Sequence, residues 1–359
     1  MRSRLLPRGL FAVALLTAAC ALMPPAAAGR SPKVVSRVVT FSVQNVDRSR
    51  LACPTDGASY QISGHLTGPQ SALAASSRKR KRAAALYLHG LGFGDWFWNF
   101  AAVPGYNYAA AQAKAGHVSV TIDRLGYAAS GHPDGNKSCI GGQADIAHQV
   151  IQALRKGTYS VAGGKAVRFT RIALAGHSAG AEIAMLEAYS FNDVNALVDM
   201  SFSFANLPRA QIALGPTQAT CSAGGEPAGP GAPSGYAFYG QPAAADFESI
   251  MFHSAKAPVR AAADLLRNRD PCGETTSIVA AILQQRASVK KIRVPVLVIC
   301  GTKDALYAGF ACKLQADRFT GSRSVTTKLV KGAGHALTLE AQAASFRRKA
   351  SRWLAKRGF

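Results

Sequence analysis

One short stretch constrains the fold of this chain more than any other. An apolar run, 171–175, leads into Gly-His-Ser-Ala-Gly at 176–180, and an Ala-, Met- and Leu-rich segment follows. An apolar strand that ends in G-x-S-x-G and continues into a helix is typical of a sharp turn that exposes the central serine, here Ser178. Glycines flank it because a Cβ at either place would collide with neighbouring backbone. The stretch therefore predicts strand, tight turn and helix.

Two further polar residues follow predicted strands downstream, of which the first is expected to be buried. Asp304 comes just after the apolar run 294–300, and His335 lies in a Gly-rich loop after the run 325–330. A serine hydroxyl is a poor nucleophile at neutral pH, so it needs a base, and the base needs an orienting group. Ser178, Asp304 and His335 occur in the order serine, acid, histidine, each at a strand end, and we interpret them as a catalytic triad.

Each of these residues also has a plain structural interpretation. Ser178 would then be a helix N-cap, Asp304 a turn residue and His335 a loop histidine. The rival acids and bases have weaker contexts, because they lie in a predicted helix, in an apparent insertion or beside the nucleophile. They are Asp317, Asp264, Asp270, His253 and His177.

Motifs along the whole chain together resemble the α/β-hydrolase fold family of serine esterases and lipases. The matching stretches are 88–92, 122–131, 176–180, 301–304 and 332–335, and the resemblance covers about 33–205 and 291–359. It implies an α/β fold with a mostly parallel central sheet, helices on both faces and an inserted cap. It also implies that the N–H groups of Leu91 and Ala179 form the oxyanion hole. In the family pattern His89, Asp123 and Arg124 are structural.

The predicted organisation is a signal peptide at 1–28, a first core part at 33–205, a cap at 206–290 and a second core part at 291–359. Arg2, Arg4 and Arg8 precede an apolar stretch at 9–22, and three alanines at 26–28 suit cleavage, so we expect secretion. Lipid attachment through Cys20 is the alternative. We see no other stretch long and apolar enough to span a membrane.

The predicted cap combines a loop-like first part with three helical stretches. Gly and Pro are too frequent at 224–233 for regular structure, whereas 243–252, 259–268 and 275–290 have helical patterns. Aromatic side chains in the cap and after the oxyanion loop either line an acyl pocket or form small cores. These are Tyr236, Phe238, Tyr239, Phe247, Phe252, Trp96, Phe97 and Trp98.

Six cysteines remain when Cys20 is set aside, and an even number in an exported chain suggests disulfides with fifteen possible pairings. We favour Cys221 with Cys272 and Cys300 with Cys312, which leaves Cys53 with Cys139. An inert core thiol at Cys300 is the alternative. No metal-ligand spacing is evident, and we expect no metal or cofactor.

The formal charge is +23, and about +20 without residues 1–28. So much positive charge attracts anionic surfaces such as cell-envelope polymers. No nucleic-acid-binding module is evident. We interpret the basic run 78–82 as a solvated loop, and an anion-binding patch is the alternative.

The resemblance implies a secreted serine hydrolase that acts on small carboxylic esters and needs no cofactor. Other chemistry at the same site is the first alternative: acyl transfer, lactone or peptide hydrolysis, or a lyase reaction. A non-catalytic binding protein on the same scaffold is the second. The oligomeric state is left open.

Overall fold

The computed structural model describes residues 32–74, 82–240, 243–307 and 309–359. The predicted signal peptide 1–28, with Cys20, and most of the basic run 78–82 lie outside these ranges. In the part of the chain that is described, no helix is long and apolar enough to cross a membrane.

A nine-stranded sheet in the order β11-β10-β7-β6-β3-β4-β2-β1-β5 forms the centre of the fold. Its strands are β1 (Val34–Gln44), β2 (Ser59–Pro69), β3 (Ala83–Leu88), β4 (Ser119–Ile122), β5 (Ser160–Val161), β6 (Arg171–His177), β7 (Ala196–Met200), β10 (Val296–Gly301) and β11 (Val325–Val330), and a separate pair consists of β8 (Tyr236–Ala237) and β9 (Asp270–Pro271). Neighbours from β11 to β4 pair parallel, whereas β2, β1 and β5 pair antiparallel.

This topology confirms the predicted α/β architecture. Four of the parallel strands, β3, β6, β7 and β10, are buried almost throughout. Their apolar sequences agree with this burial, because both faces of such strands are covered. The two N-terminal strands, β1 and β2, pair antiparallel, and β2 joins them to β4. Only β5 adds a short outer strand that the sequence pattern did not reveal, since two residues carry no detectable periodicity.

The helices are α1 (Gln70–Leu73), α2 (Tyr108–Lys114), α3 (Ile140–Lys156), α4 (Ala179–Phe191), α5 (Pro208–Ser222), α6 (Ala244–Met251), α7 (Ala257–Leu265), α8 (Cys272–Ser288), α9 (Gly309–Ala316) and α10 (Ala343–Lys356). The last three helices of the 206–290 segment agree with the prediction to within a few residues. Its first part does not, because α5 is a helix where we expected loop. Pro216 lies inside α5, and a proline at that place normally argues against a helix. Pro208, in the first turn, is typical of a helix start.

Six cysteines form three disulfides within the described residues, in the favoured pairing. Cys53 bonds Cys139, Cys221 bonds Cys272, and Cys300 bonds Cys312. The alternative of an inert thiol at Cys300 is therefore wrong in this structure. The second bridge joins the end of α5 to the first residue of α8.

The carboxyl ends of the parallel strands meet at one edge of the sheet. Leu91 follows β3, Ser178 follows β6, Asp304 follows β10 and His335 follows β11. All four therefore approach the same edge, which is where ligands bind in open α/β sheets.

Candidate functional site

Ser178 occupies the strained turn that its motif predicts. Its backbone angles are φ 54° and ψ −124°, a positive φ that is uncommon for a residue with a side chain. A Cβ on Gly176 would lie 2.0 Å from the carbonyl oxygen of Gly180, and one on Gly180 would lie 2.4 Å from that of Leu88. Only glycine fits at either position, so the motif is a packing requirement of the turn.

Asp304 and His335 form a buried pair. Their side chains are fully buried, and Nδ1 of His335 lies 2.8 Å from Oδ2 of Asp304. The other carboxylate oxygen accepts the N–H groups of Leu306 and Tyr307 at 2.9 and 3.1 Å, which fixes the carboxylate. This arrangement places the imidazole proton on Nδ1. Among the described residues Nε2 of His335 has no hydrogen-bond partner, so its lone pair is free.

His177 connects the serine turn to this pair. Its Nε2–H donates to the carbonyl oxygen of His335 at 2.9 Å, and the two imidazole rings lie 4.7 Å apart between centroids. Burial lowers the pKa of His177 well below its usual value, so this ring stays neutral. The structure thus pairs His335 with Asp304 and places that pair against His177, the residue before Ser178. The Ser178 hydroxyl itself makes no hydrogen bond to Nε2 of His335 here.

The predicted oxyanion donors lie beside the serine. Leu91, Ser178 and Ala179 line one cavity. Ala179 is the first residue of α4, where backbone N–H groups lack intrahelical partners. Within the described ranges, no hydrogen bond uses the N–H of Leu91 or of Ala179. Two free backbone donors next to a serine can hold a developing oxyanion.

His89 and Arg124 support the loop that carries Leu91, as the structural interpretation expected. We call residues 89–94 the oxyanion loop. The backbone N–H of Arg124 donates to Nε2 of His89 at 3.1 Å, and its Nε–H donates to the His89 carbonyl at 3.0 Å. Burial lowers the pKa of His89 well below its usual value. A neutral ring with both nitrogens engaged is a support and not a proton carrier.

A second support comes from the 206–290 segment, and sequence reasoning missed it. We call residues 268–274 the clamp segment. The N–H of Gly92 donates to Oδ1 of Asp270 at 2.6 Å, while the N–H of Asn268 donates to the Gly92 carbonyl at 3.0 Å. Both polar groups of Gly92 are therefore bonded to the clamp segment. Gly92 also has a φ of +74°, and a Cβ there would lie 2.9 Å from Phe247.

An ion pair continues this contact deeper into the protein. Arg124 donates to Glu274 at 2.6 Å, and both side chains are almost completely buried. Tyr127 donates to Asp270 at 2.9 Å, and Gln143 donates to Glu274 at 2.8 Å. Burial raises the pKa of Asp270 to about 7, although the Gly92 N–H opposes the rise.

Asp270 entered the sequence analysis only as a rival acid in an insertion. No local pattern marks its role, because its partners are 178 and 143 residues away. The only sequence signal is that Asp270 and Glu274 are two acids four residues apart in an acid-poor chain.

The cavity beside Ser178 has a volume of about 220 Å³. Its floor consists of buried core residues, and its walls come from α5 and α8. The lining residues are Leu91, Ser178, Ala179, Phe202, Asn206, Ala210, Gln211, Leu214, Tyr239, Ile278, Val279, Ile282, Leu283, Arg286, Leu306 and Tyr307.

Of the aromatic side chains with two possible roles, only Tyr239 lines this cavity. Phe97 and Trp98 are buried in the main core, and Tyr236 and Phe247 are equally buried. Their packing supports the interpretation as core residues. The part of the wall that α8 supplies is aliphatic, with isoleucine, leucine and valine, and Phe202 and Tyr307 line the cavity beside Tyr239.

Two groups of side chains in the described ranges have the spacing of metal ligands. One contains Cys53 and Cys139, whose sulfurs are joined in a disulfide, together with Asp47. The other contains His148, Glu187 and Asp193, where His148 and Asp193 already bond each other at 2.8 Å. Neither group lines the cavity beside Ser178.

Comparison with known proteins agrees with this geometry. The model of a family described as "Alpha/beta hydrolase family" matches residues 85–348. No curated protein matches the sequence at a significant level.

Solved structures show the same fold at low identity. A thermophilic esterase from Thermogutta terrifontis superposes with a TM-score of 0.58 at 16% identity, over 88% of this chain and 98% of that one. A monoacylglycerol lipase from Paleococcus ferrophilus gives 0.55 at 18%, over 77% and 95%. An enol-lactonase from Burkholderia xenovorans gives 0.54 at 18%, over 82% and 97%.

Proposed function

The chain belongs to the alpha/beta hydrolase family, and we propose that it is a serine hydrolase that cleaves carboxylic esters through an acyl-enzyme. The observation that carries the proposal is the arrangement around His335. Its Nδ1 is bonded to buried Asp304, its Nε2 is free within the described structure, and Ser178 stands on a strained turn nearby. A binding protein has no need of a serine turn of this kind together with a buried Asp–His pair.

The first half of the reaction forms the acyl-enzyme. Ser178 Oγ attacks the ester carbonyl carbon while Nε2 of His335 takes the hydroxyl proton. The carbonyl oxygen becomes an oxyanion held by the N–H groups of Leu91 and Ala179, each worth roughly 3 kcal/mol. When the tetrahedral intermediate collapses, the C–O bond to the alcohol breaks, and His335 gives its proton to the departing alcohol oxygen.

The second half releases the acid. Water gives a proton to Nε2 of His335 and attacks the acyl carbon, and the proton then returns to Ser178 Oγ as its bond to carbon breaks. Asp304 holds the ring in one orientation and stabilises the imidazolium in both halves. These steps need no metal or cofactor.

Two further observations support an ester of a small organic acid as the substrate. The structural relatives include an esterase, a monoacylglycerol lipase and an enol-lactonase. The cavity wall that reaches Ser178 is largely aliphatic, which suits an acyl chain. In this proposal residues 206–290 act as the cap, since α5 and α8 supply that wall.

We also propose that the protein is exported. Three disulfides are expected in an oxidising compartment and are rare in the cytosol. The positively charged start and apolar stretch of residues 1–22 point the same way.

The test is hydrolysis of p-nitrophenyl esters of increasing acyl length by the wild type and by Ser178→Ala. We expect Ser178→Ala to lower kcat by at least about 10³-fold. Ser201→Ala is the matched control, because Ser201 follows the neighbouring strand β7 and also has a positive φ, 51°, but does not line the cavity. Activity that survives in Ser178→Ala refutes the nucleophile.

A covalent label gives an independent check. A fluorophosphonate should attach to Ser178 in the wild type, identified by mass spectrometry of the peptide, and should not attach in Ser178→Ala. Wild-type protein that neither turns over esters nor takes the label would favour the binding-protein alternative.

A further inference from the structure

The cavity beside Ser178 has a single fixed charge. Among the described residues that line it, Arg286 alone is permanently ionised, and no carboxylate is present. The other polar lining groups away from the catalytic residues include the amides of Asn206 and Gln211. The cleft therefore combines aliphatic and aromatic surface with one cation and several neutral hydrogen-bonding groups, which are the amides of Asn206 and Gln211 and the hydroxyls of Tyr239 and Tyr307.

Arg286 lies in register with the apolar wall. Ile278, Ile282 and Arg286 follow one another at intervals of four along α8, so they share one helix face. From Ile278 to Arg286 this stripe is about 12 Å long. A ligand that lies along it meets aliphatic side chains over most of its length and a guanidinium at one end.

The guanidinium is positioned but not neutralised. Its one hydrogen bond within the described structure is from NH2 to the carbonyl of Phe204, at 2.8 Å. In the same ranges, no carboxylate lies within ion-pair distance of it. Its remaining donors are therefore available to a ligand, and a planar guanidinium suits an oxyanion with two acceptor oxygens.

We propose that Arg286 binds an anionic group of the substrate, a carboxylate or a phosphate, separated from the scissile ester by an apolar chain. This inference rests on the proposed ester hydrolysis and names its substrate class. Asn206 and Gln211 are exposed residues of the same lining and supply neutral hydrogen bonds to that anion. Arg286 is thus a specificity residue and takes no part in bond breaking.

The experiment compares kcat/KM for matched ester pairs. On the acyl side, mono-p-nitrophenyl adipate and suberate are paired with p-nitrophenyl hexanoate and octanoate. On the alcohol side, the hexanoate ester of 6-hydroxyhexyl phosphate is paired with hexyl hexanoate. The pair with the larger preference for the charged member identifies whether the acid or the alcohol carries the anion.

We expect Arg286→Gln to lower the charged-to-neutral ratio about tenfold or more for that pair, the size of one hydrogen bond to a charged group. Arg286→Lys should keep part of the ratio, because it keeps the charge and loses the planar fork. Arg209→Gln is the matched control: Arg209 is also an exposed arginine of the 206–290 segment, and it donates to Ser249 outside this cavity. Its ratio should equal that of the wild type.

The outcomes separate the two proposals. Turnover of neutral esters that depends on Ser178, with no preference for any charged member or with equal ratios in Arg286→Gln and Arg209→Gln, overturns the inference and leaves the proposed function intact. Absence of all Ser178-dependent turnover overturns both. A charged preference that disappears in Arg286→Gln alone confirms the inference.

Discussion

The two ends of helix α8 belong to opposite kinds of environment. At its start Glu274 is fully buried and bonded to Arg124, next to Asp270 and the oxyanion loop. Nine residues later Leu283 is 62% exposed and forms part of the open cleft wall. One end is fixed by ionic and hydrogen bonds, and the other presents apolar surface to solvent.

The difference shows that the 206–290 segment is not simply a cover over a finished site. Its clamp segment, 268–274, bonds both polar groups of Gly92 and so helps to hold the loop that carries Leu91. Its cleft residues make no hydrogen bond to Ser178, Asp304 or His335 in the described structure and instead line the cavity beside Ser178. Changes at the first end should affect folding and turnover, and changes at the second should affect substrate choice.

The largest expected difference is in stability. Glu274→Ala leaves the Arg124 guanidinium buried without its carboxylate, which we expect to cost about 3–5 kcal/mol of unfolding free energy. Leu283→Ala, on the same helix, should change it by no more than about 0.5 kcal/mol because this side chain is mostly exposed. Urea denaturation of both variants measures the contrast. Equal losses of unfolding free energy in the two variants would contradict the distinction between the two ends of α8.

The next effect is a dependence of stability on pH. Burial raises the pKa of Asp270 to about 7 from its ordinary 3.8. Between these values the unfolded chain has released this proton while the native protein still holds it, so native stability falls as pH rises. For this group the fall is about 2 kcal/mol between pH 5 and pH 8.

The side chain at this position cannot titrate in Asp270→Asn. The variant should therefore lose less unfolding free energy than the wild type as the pH rises. The measurement is the difference between the wild-type and variant slopes of unfolding free energy against pH. Other buried carboxyls, such as Asp123 and Asp199, also titrate in this range and are common to both proteins. Parallel slopes would mean that Asp270 ionises normally and that its environment is less buried than described.

The smallest expected effect concerns turnover. Asp270→Ala removes the acceptor for the Gly92 N–H and loosens the oxyanion loop, so we expect kcat for a neutral ester to fall about tenfold with little change in KM. Complete loss of an oxyanion donor costs about 10²–10³-fold, which sets the upper limit. Asp270→Asn keeps an acceptor oxygen and should retain most of the activity. A raised KM with unchanged kcat would instead place Asp270 in the substrate wall.

The catalytic half of the molecule was predictable because its signals are local. Gly176 and Gly180 indicate a turn in which only glycine fits. The strands that precede Leu91, Ser178 and Asp304 are apolar runs of ordinary length. Chain order then indicates which polar residues share the sheet edge. The same locality explains the predicted pairing of Cys300 with Cys312, which are 12 residues apart.

The supporting contacts were not predictable, because their partners are distant in sequence. Nothing near Asp270 indicates that it accepts the N–H of Gly92, and nothing near Arg124 indicates that Glu274 neutralises it. Helix α5 was missed for a different reason. Pro216 normally breaks a helix, and only the tertiary packing of α5 overrides that local preference.

The Cys221–Cys272 bridge gives the cleft walls a mechanical pivot. It ties the last turn of α5 to the first residue of α8, so the two helices are arms joined at one end. Such a covalent joint limits the spacing of the two helices most strongly beside Cys272. Arg286 is fourteen residues beyond Cys272, about 21 Å along α8, so the bridge constrains the cleft least there. Asp270, which accepts the N–H of Gly92, lies instead beside the joint.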